Sequence, residues 1–389
     1  MKSCYSVPIA MSTFVAFTLG WTRPSLAAAP NTYAYTVIAE SIVPSGSANA
    51  PVITNDGTVV YAARYPSFAL SIFSGDGTVT RQLIGSIDDL ARIAFSVSGN
   101  GMLVTNVSKG IIDVHNGSLL GLFDPEGFFV GTGPAERINM AQLSINNRGS
   151  VAFTGSKSDL CSFNGISTIA QNGGVYRFDN DNTTTVATFG SFGDLVAITA
   201  FPSINESSRV AFLALPENPF PNFSCPRTVE SGFLFVGDGK KLVKIAAANS
   251  APSLNNRGQV GFIGVVDGPL SILVTDGTRT RIVADTNGPF DDFPFAGGAV
   301  GPLAARGISI NDAGNVAFVA AIDTGGSGIF TGPDVVRDKV IVIGDLLAGS
   351  SVSGGIRMSR QSLNDSGQIA FQATLADGRI VVVRADPID

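Results

Sequence analysis

Residues 309–318 read Ser-Ile-Asn-Asp-Ala-Gly-Asn-Val-Ala-Phe, and the same ten-residue phrase returns along the chain. Clear copies are Ser144–Phe153 (SINNRGSVAF), Ser253–Phe262 (SLNNRGQVGF) and Ser362–Phe371 (SLNDSGQIAF). Ser203–Phe212 (SINESSRVAF) keeps the pattern with Ser208 in place of the glycine. Val52–Tyr61 (VITNDGTVVY) and Ser96–Thr105 (SVSGNGMLVT) are looser. The turn positions Gly57, Gly101, Gly149, Ser208, Gly258, Gly314 and Gly367 lie 44–59 residues apart. A period near fifty made of short strands specifies a radial or solenoidal array.

Each copy reads as a hairpin. Ser-Ile-Asn is extended, Val-Ala-Phe is β-branched and aromatic, and Asn-x-x-Gly between them is turn chemistry. The Asn side chain folds back onto the backbone, and the Gly takes a positive φ at little cost. The repeated Asn therefore has a structural task. A second apolar–turn–apolar phrase follows most copies, as in Gly232–Ala246 (GFLFVGDGKKLVKIA) and Ser271–Asp285 (SILVTDGTRTRIVAD). Each unit supplies four antiparallel strands, A to D. The expected fold is all-β, a seven-bladed β-propeller with four antiparallel strands per blade. Val316 and Phe318 point to one side of strand B and Ala317 to the other, so the many phenylalanines are core filler.

The chain ends support a ring. After the seventh hairpin, Gly378–Asp386 (GRIVVVRAD) supplies strand C and no strand D follows. Tyr35–Ser41 (YTVIAES) resembles the D strands, so the N-terminal strand is expected to complete the last blade and remove an exposed sheet edge. Deleting Thr32–Ser41 should then cause aggregation; a variant as soluble and heat-stable as the parent would count against the ring.

Residues 1–29 read as a signal peptide. Lys2 precedes an apolar stretch from Val7 to Leu19, and Ser25-Leu26-Ala27-Ala28-Ala29 supplies a small-residue cleavage site. Residues 30–389 form the propeller. The expected location is secreted or periplasmic. No other segment has the length and apolarity of a membrane span. In an exported protein Cys161 and Cys225, each after strand B of adjacent blades, are expected to form a disulfide.

Alternating strands put the A–B and C–D turns on one face and the B–C and D–A connections on the other. The long, varied segments are all of the second kind: Asp124–Gln142, Gly155–Gly173, Leu215–Ser231, Thr286–Gly307 and Leu346–Ser359. Recognition is expected on that face, because loops on a rigid scaffold carry binding. Candidate binding residues there are Phe290, Asp291, Asp292 and Phe293, within Pro289–Phe295 (PFDDFPF). Acidic residues recur where strand D ends, at Glu40, Asp194, Asp285 and Asp345, with Asp88 and Asp89 nearby. Calcium, which takes carboxylate and carbonyl oxygens, is the one cofactor that this pattern would admit.

Composition excludes several chemistries. His115 is the single histidine, which removes a Ser-His-Asp triad and a multi-histidine zinc site. Losing Lys2 and Arg23 with the leader leaves 23 basic against 31 acidic residues, a net charge of −8. Such a chain, without a basic stripe, is a poor nucleic-acid binder. The expected state is a monomer.

The N-x-x-G-x-V-A-F units, acidic residues after strand D and long Gly/Pro loops resemble an uncharacterised repeat family of exported bacterial β-propeller proteins. Its members often carry a removable signal and sometimes a C-terminal anchor. The resemblance covers about Asn55 to Phe371 and implies the fold; it transfers no catalytic residue. Three functions remain. One is an exported, non-catalytic binding or scaffold module for an extracellular ligand or protein. Another is a calcium-dependent, lactonase-like hydrolase whose base would be Asp285 or Asp345. The last is a carbohydrate-active enzyme with paired carboxylates. Both enzymes would work at the channel mouth.

Overall fold

The structure, a computed structural model, describes residues 32–40, 43–44, 50–64, 70–87, 95–107, 110–115, 118–123, 143–156, 161–163, 166–169, 173–179, 182–188, 195–198, 202–216, 232–293 and 308–388. These residues are all β, with no helix among them. The fifth copy shows the unit. Ser253–Leu254, Val260–Val265, Leu270–Thr275 and Thr280–Asp285 lie side by side and antiparallel, with Leu254 opposite Val260 and Thr275 opposite both Val260 and Thr280. Six sheets are each built this way from one continuous stretch of chain, in a propeller-like arrangement.

A further sheet joins the two ends of the chain. Thr32–Glu40 runs antiparallel to Ile380–Ile388, from Thr32 opposite Ile388 to Glu40 opposite Val381. Ile380–Ile388 pairs in turn with Ile369–Leu375, whose Ile369 is bridged to Leu363. The expected pairing of Tyr35 and its neighbours with the last copy is therefore seen. Tyr35 lies opposite Ala385, and its hydroxyl donates to the carbonyl of Val340 in the preceding sheet.

The core lies between sheets. Val316, Phe318 and Ala320 pack against Ile263, Ile272 and Val274 of the fifth sheet. Ala317 and Val319, on the other side of the same strand, pack with Ile369, Phe371 and Val381. The two-residue period of a strand thus assigns each V-A-F triplet to two interfaces at once. Each buried phenylalanine contributes roughly 1.5–3 kcal/mol of transfer free energy.

The connections before strand A contain strands that their irregular sequences do not announce. Strand A is only two or three residues long, so the far half of strand B would be an open edge. Among the described residues an extra strand covers it in four copies. Val43–Pro44 pairs with Val59–Arg64, Leu195–Ile198 with Val210–Pro216, Phe290–Asp292 with Val316–Ile322, and Ser350–Arg357 with Ile369–Leu375. Edge coverage explains their recurrence despite dissimilar sequences. The expected leader, residues 1–29, lies outside the described residues.

Candidate functional site: the central channel

The A–B turns meet around a central channel, and the leading residues of the repeated phrase make bonds there. The leading Ser accepts the backbone N–H of the residue before the next copy's Asn. Ile204 N bonds Ser144 Oγ at 3.2 Å, Leu254 N bonds Ser203 Oγ at 3.0 Å, and Leu363 N bonds Ser309 Oγ at 3.0 Å. The first Asn has two tasks. Its Oδ1 accepts N–H groups of its own turn, as Asn311 does from Asn315 N. Its Nδ2 donates to the next copy's carbonyl: Asn146 to Asn205, Asn205 to Asn255, Asn255 to Asn311, Asn311 to Asn364 and Asn364 to Thr54, at 2.8–3.2 Å. These Asn side chains are buried, so every bond formed avoids a desolvation cost.

The position after that Asn forms a rim. Asn147 N donates to Glu206 Oε1, Glu206 N to Asn256 Oδ1, Asn256 N to Asp312 Oδ1, Asp312 N to Asp365 Oδ1 and Asp365 N to Asn55 Oδ1. Asn55 N then reaches Gly99 O, and Asn100 N reaches Asn147 Oδ1. The circuit passes once through every copy and closes. The turn glycines have φ of 78° to 88°, and Ser208 takes the same left-handed conformation at 58°.

The channel is crossed from within by Arg360 and Gln361, which precede the seventh phrase. Arg360 Nη1 donates to Pro202 O and Pro252 O at 3.3 and 2.8 Å. Its carbonyl accepts from Ser253 Oγ and Ser309 Oγ. Gln361 Nε2 donates to Val97 O, its Oε1 accepts from Ser96 Oγ, and its carbonyl accepts from Ile53 N. Above them lies a polar cavity of about 120 Å3, ringed by Asn55, Asn147, Glu206, Asn256, Asp312 and Asp365. Arg360 retains some exposure, toward this cavity, yet burial within the ring lowers its pKa to about 10.

The A–B and C–D turns share a face, as expected. Arg177 Nη1 bonds both Ser208 O and Asp238 O, and Arg384 Nη1 bonds both Gly57 O and Asp76 O. The residues expected to bind a ligand are placed as follows. Phe290 and Phe293 are fully buried against each other and against Phe318, with Phe290 also meeting Phe330, while Asp291 and Asp292 are exposed. Asp292 Oδ1 accepts Phe293 N. Asp285 accepts Asn287 N within a turn. Asp345 accepts Val342 N and pairs with Lys339 at 3.0 Å. Burial, together with the charge of Asp345, pushes the Tyr35 hydroxyl up to about 12. Among the described residues no three His, Cys, Asp or Glu side chains gather into a metal-binding group. Asp88, Asp89, Asp194 and Cys225 lie outside the described residues, so the pairing expected between Cys225 and Cys161, which is in the short strand Cys161–Phe163, falls outside them too. His115 ends the strand Gly110–His115, opposite Met102 and Ser118.

Sequence reasoning assigned the turn Asn and Gly but missed the Ser rungs and the rim. The recurring Ser at the head of each phrase and the Asn, Asp or Glu after the first Asn were the available signals. Nothing in the residues themselves marked Arg360 and Gln361.

Solved propeller-like structures share this arrangement. A puromycin-hydrolyzing peptidase from Mycobacterium tuberculosis is 14% identical with a TM-score of 0.50, over 92% of this chain. This chain spans about half of that peptidase, 55% of its length, and the likeness shows the fold alone. A chain of a mitotic checkpoint complex is 11% identical (TM-score 0.47, 96% of this chain and 99% of that one). A gluconolactonase from Xanthomonas campestris is 12% identical (TM-score 0.36, 94% and 98%). No curated protein matches. Among the described residues no helix is long and apolar enough to cross a membrane. Residues 226–381 match the model of a family of unknown function, DUF7453.

Proposed function

We propose that this chain is an exported seven-bladed propeller that binds an extracellular ligand or protein through the face carrying its B–C and D–A connections, without chemical turnover. The closed circuit of turn bonds, one link per copy, supports the count of seven. The observation that carries the binding reading is Arg360. Its guanidinium lies across the channel, and a cation brought to that depth would meet its like charge. The polar groups of the turn face are engaged in holding the ring, whereas the opposite connections vary from copy to copy, as recognition loops do. Asp291 and Asp292 stand exposed there on a rigid aromatic base.

Thermal melting with calcium and with a chelator, run beside a lactone-hydrolysis assay, tests this. The expected result is one Tm in both and no turnover. Calcium-dependent turnover would replace the reading with the hydrolase. A glycan array probed with the parent and with the Asp291→Ala/Asp292→Ala variant supplies the positive arm: signal lost in the variant at unchanged Tm places the ligand on this face.

A further inference from the structure

All three of the repeated side-chain bonds are missing at one junction. Between the first and second copies the Ser rung is absent, because Val52 stands where other copies have Ser. The Asn rung is absent, because Thr54 has no amide to donate. The rim rung is reduced to a main-chain contact, Asn55 N to Gly99 O at 2.8 Å, because Gly99 has no side chain. The next junction keeps two of the three: Ile145 N to Ser96 Oγ, and Asn100 N to Asn147 Oδ1, reinforced by Asn100 Nδ2 to Asn147 O. Apolar packing at the first junction is intact, through Val52, Val60, Ile72, Val97 and Leu103. The polar ties come instead from the seventh copy, the first copy's other neighbour. Gln361 holds Ile53 N of the first copy at 2.9 Å, and Ser96 Oγ and Val97 O of the second at 2.9 and 3.1 Å.

We propose that the junction of the first and second copies is a seam at which the ring opens, and that Gln361 is its latch. The two degenerate phrases of the repeat flank it, and one residue of the last copy ties both, its carbonyl holding Ile53 N and its side chain holding Ser96 Oγ and Val97 O. Opening there widens the channel while the pairing of Thr32–Glu40 with Ile380–Ile388 stays intact, because that pairing lies in a different sheet. The inference stands apart from the proposed binding function, since it concerns the ring and not the loops.

Hydrogen exchange on the whole chain tests it. In the parent, amides of residues 95–105 should exchange faster than their counterparts in 308–318. Gln361→Ala should speed exchange in 52–62 and 95–105 by about tenfold, the effect of losing one buried hydrogen-bonded link. Residues 308–318 should stay within about twofold. Adding Thr54→Asn, which restores an amide facing the second copy, should reverse the change. Should the alanine variant fail to fold, Gln361→Glu sets a carboxylate oxygen in place of the donor to Val97 O and carries the same readout. Acceleration spread evenly around the ring, or none at 52–62 and 95–105, overturns the seam.

Discussion

The side-chain amide of Asn364 donates to the main-chain carbonyl of Thr54 at 3.0 Å, joining residues 310 positions apart. The same amide also reaches Gln368 Oε1, and Asn364 Oδ1 accepts from Ser366 N and Gln368 N. Asn364→Ala leaves several buried groups without partners at once. A loss of about 2–4 kcal/mol is expected, read from urea denaturation. Asn256→Ala, on the exposed rim, should cost about 1 kcal/mol. Equal costs at the two positions would contradict the role assigned to the buried ladder.

Ser208 is the one turn residue of the repeat that holds a left-handed conformation, φ 58°, with a side chain present. Ser208→Gly should stabilise the protein by about 1 kcal/mol, the steric cost of that conformation for an L-residue. Its carbonyl would still accept from Arg177. A raised urea midpoint at unchanged m-value is the check.

Acid stability should depend on the C–D turns. The Thr278 hydroxyl and the N–H groups of Arg279 and Thr278 all point at Asp276, and these bonds hold its pKa at about 2. The Thr78 and Val79 amides hold Asp76 lower still. A carboxyl depressed in the folded state stabilises above its unfolded pKa of about 4, and that contribution is lost as pH falls through the folded value. Melting temperature should therefore fall from about pH 4 to about pH 2. Asp276→Asn should flatten part of that slope, lowering the melting temperature at pH 7 and changing little at about pH 2.

Phe290 separates core from site. Its ring centroid lies 5.0 Å from that of Phe330 and 5.8 Å from that of Phe318, with no exposed surface. Phe290→Ala should cost about 3–5 kcal/mol. Asp291→Asn, at the surface one residue away, should stay within about 0.5 kcal/mol. Calorimetry on the two variants distinguishes the packing role from the recognition role.

Much of the architecture was readable because the repeat is written in residues with one physical use. Gly314 and its equivalents announce a positive φ, Val316 and Phe318 announce a strand face, and Tyr35–Ser41 announces a missing D strand. The bonds between copies were not readable in the same way. Ser309 and Asp312 are polar residues beside a turn, and which neighbour they meet depends on how the sheets fan around the axis. Phe290 looked like an aromatic display because its burial comes from Phe318 and Phe330, which follow it in sequence and meet it only in the folded sheet. Arg360 and Gln361 belong to no repeat position, so only the assembled ring gives them a place.

The pairing of Thr32–Glu40 with Ile380–Ile388 also sets a timetable. Thr32–Glu40 is synthesised long before its partner, so its backbone groups wait unpaired until Ile380–Ile388 emerges. Such long sequence separation slows folding and leaves unfinished chains sticky. A product of premature termination would therefore present two bare sheet edges, at Thr32–Glu40 and at whichever sheet came last, and would be open to proteases that spare the full-length molecule.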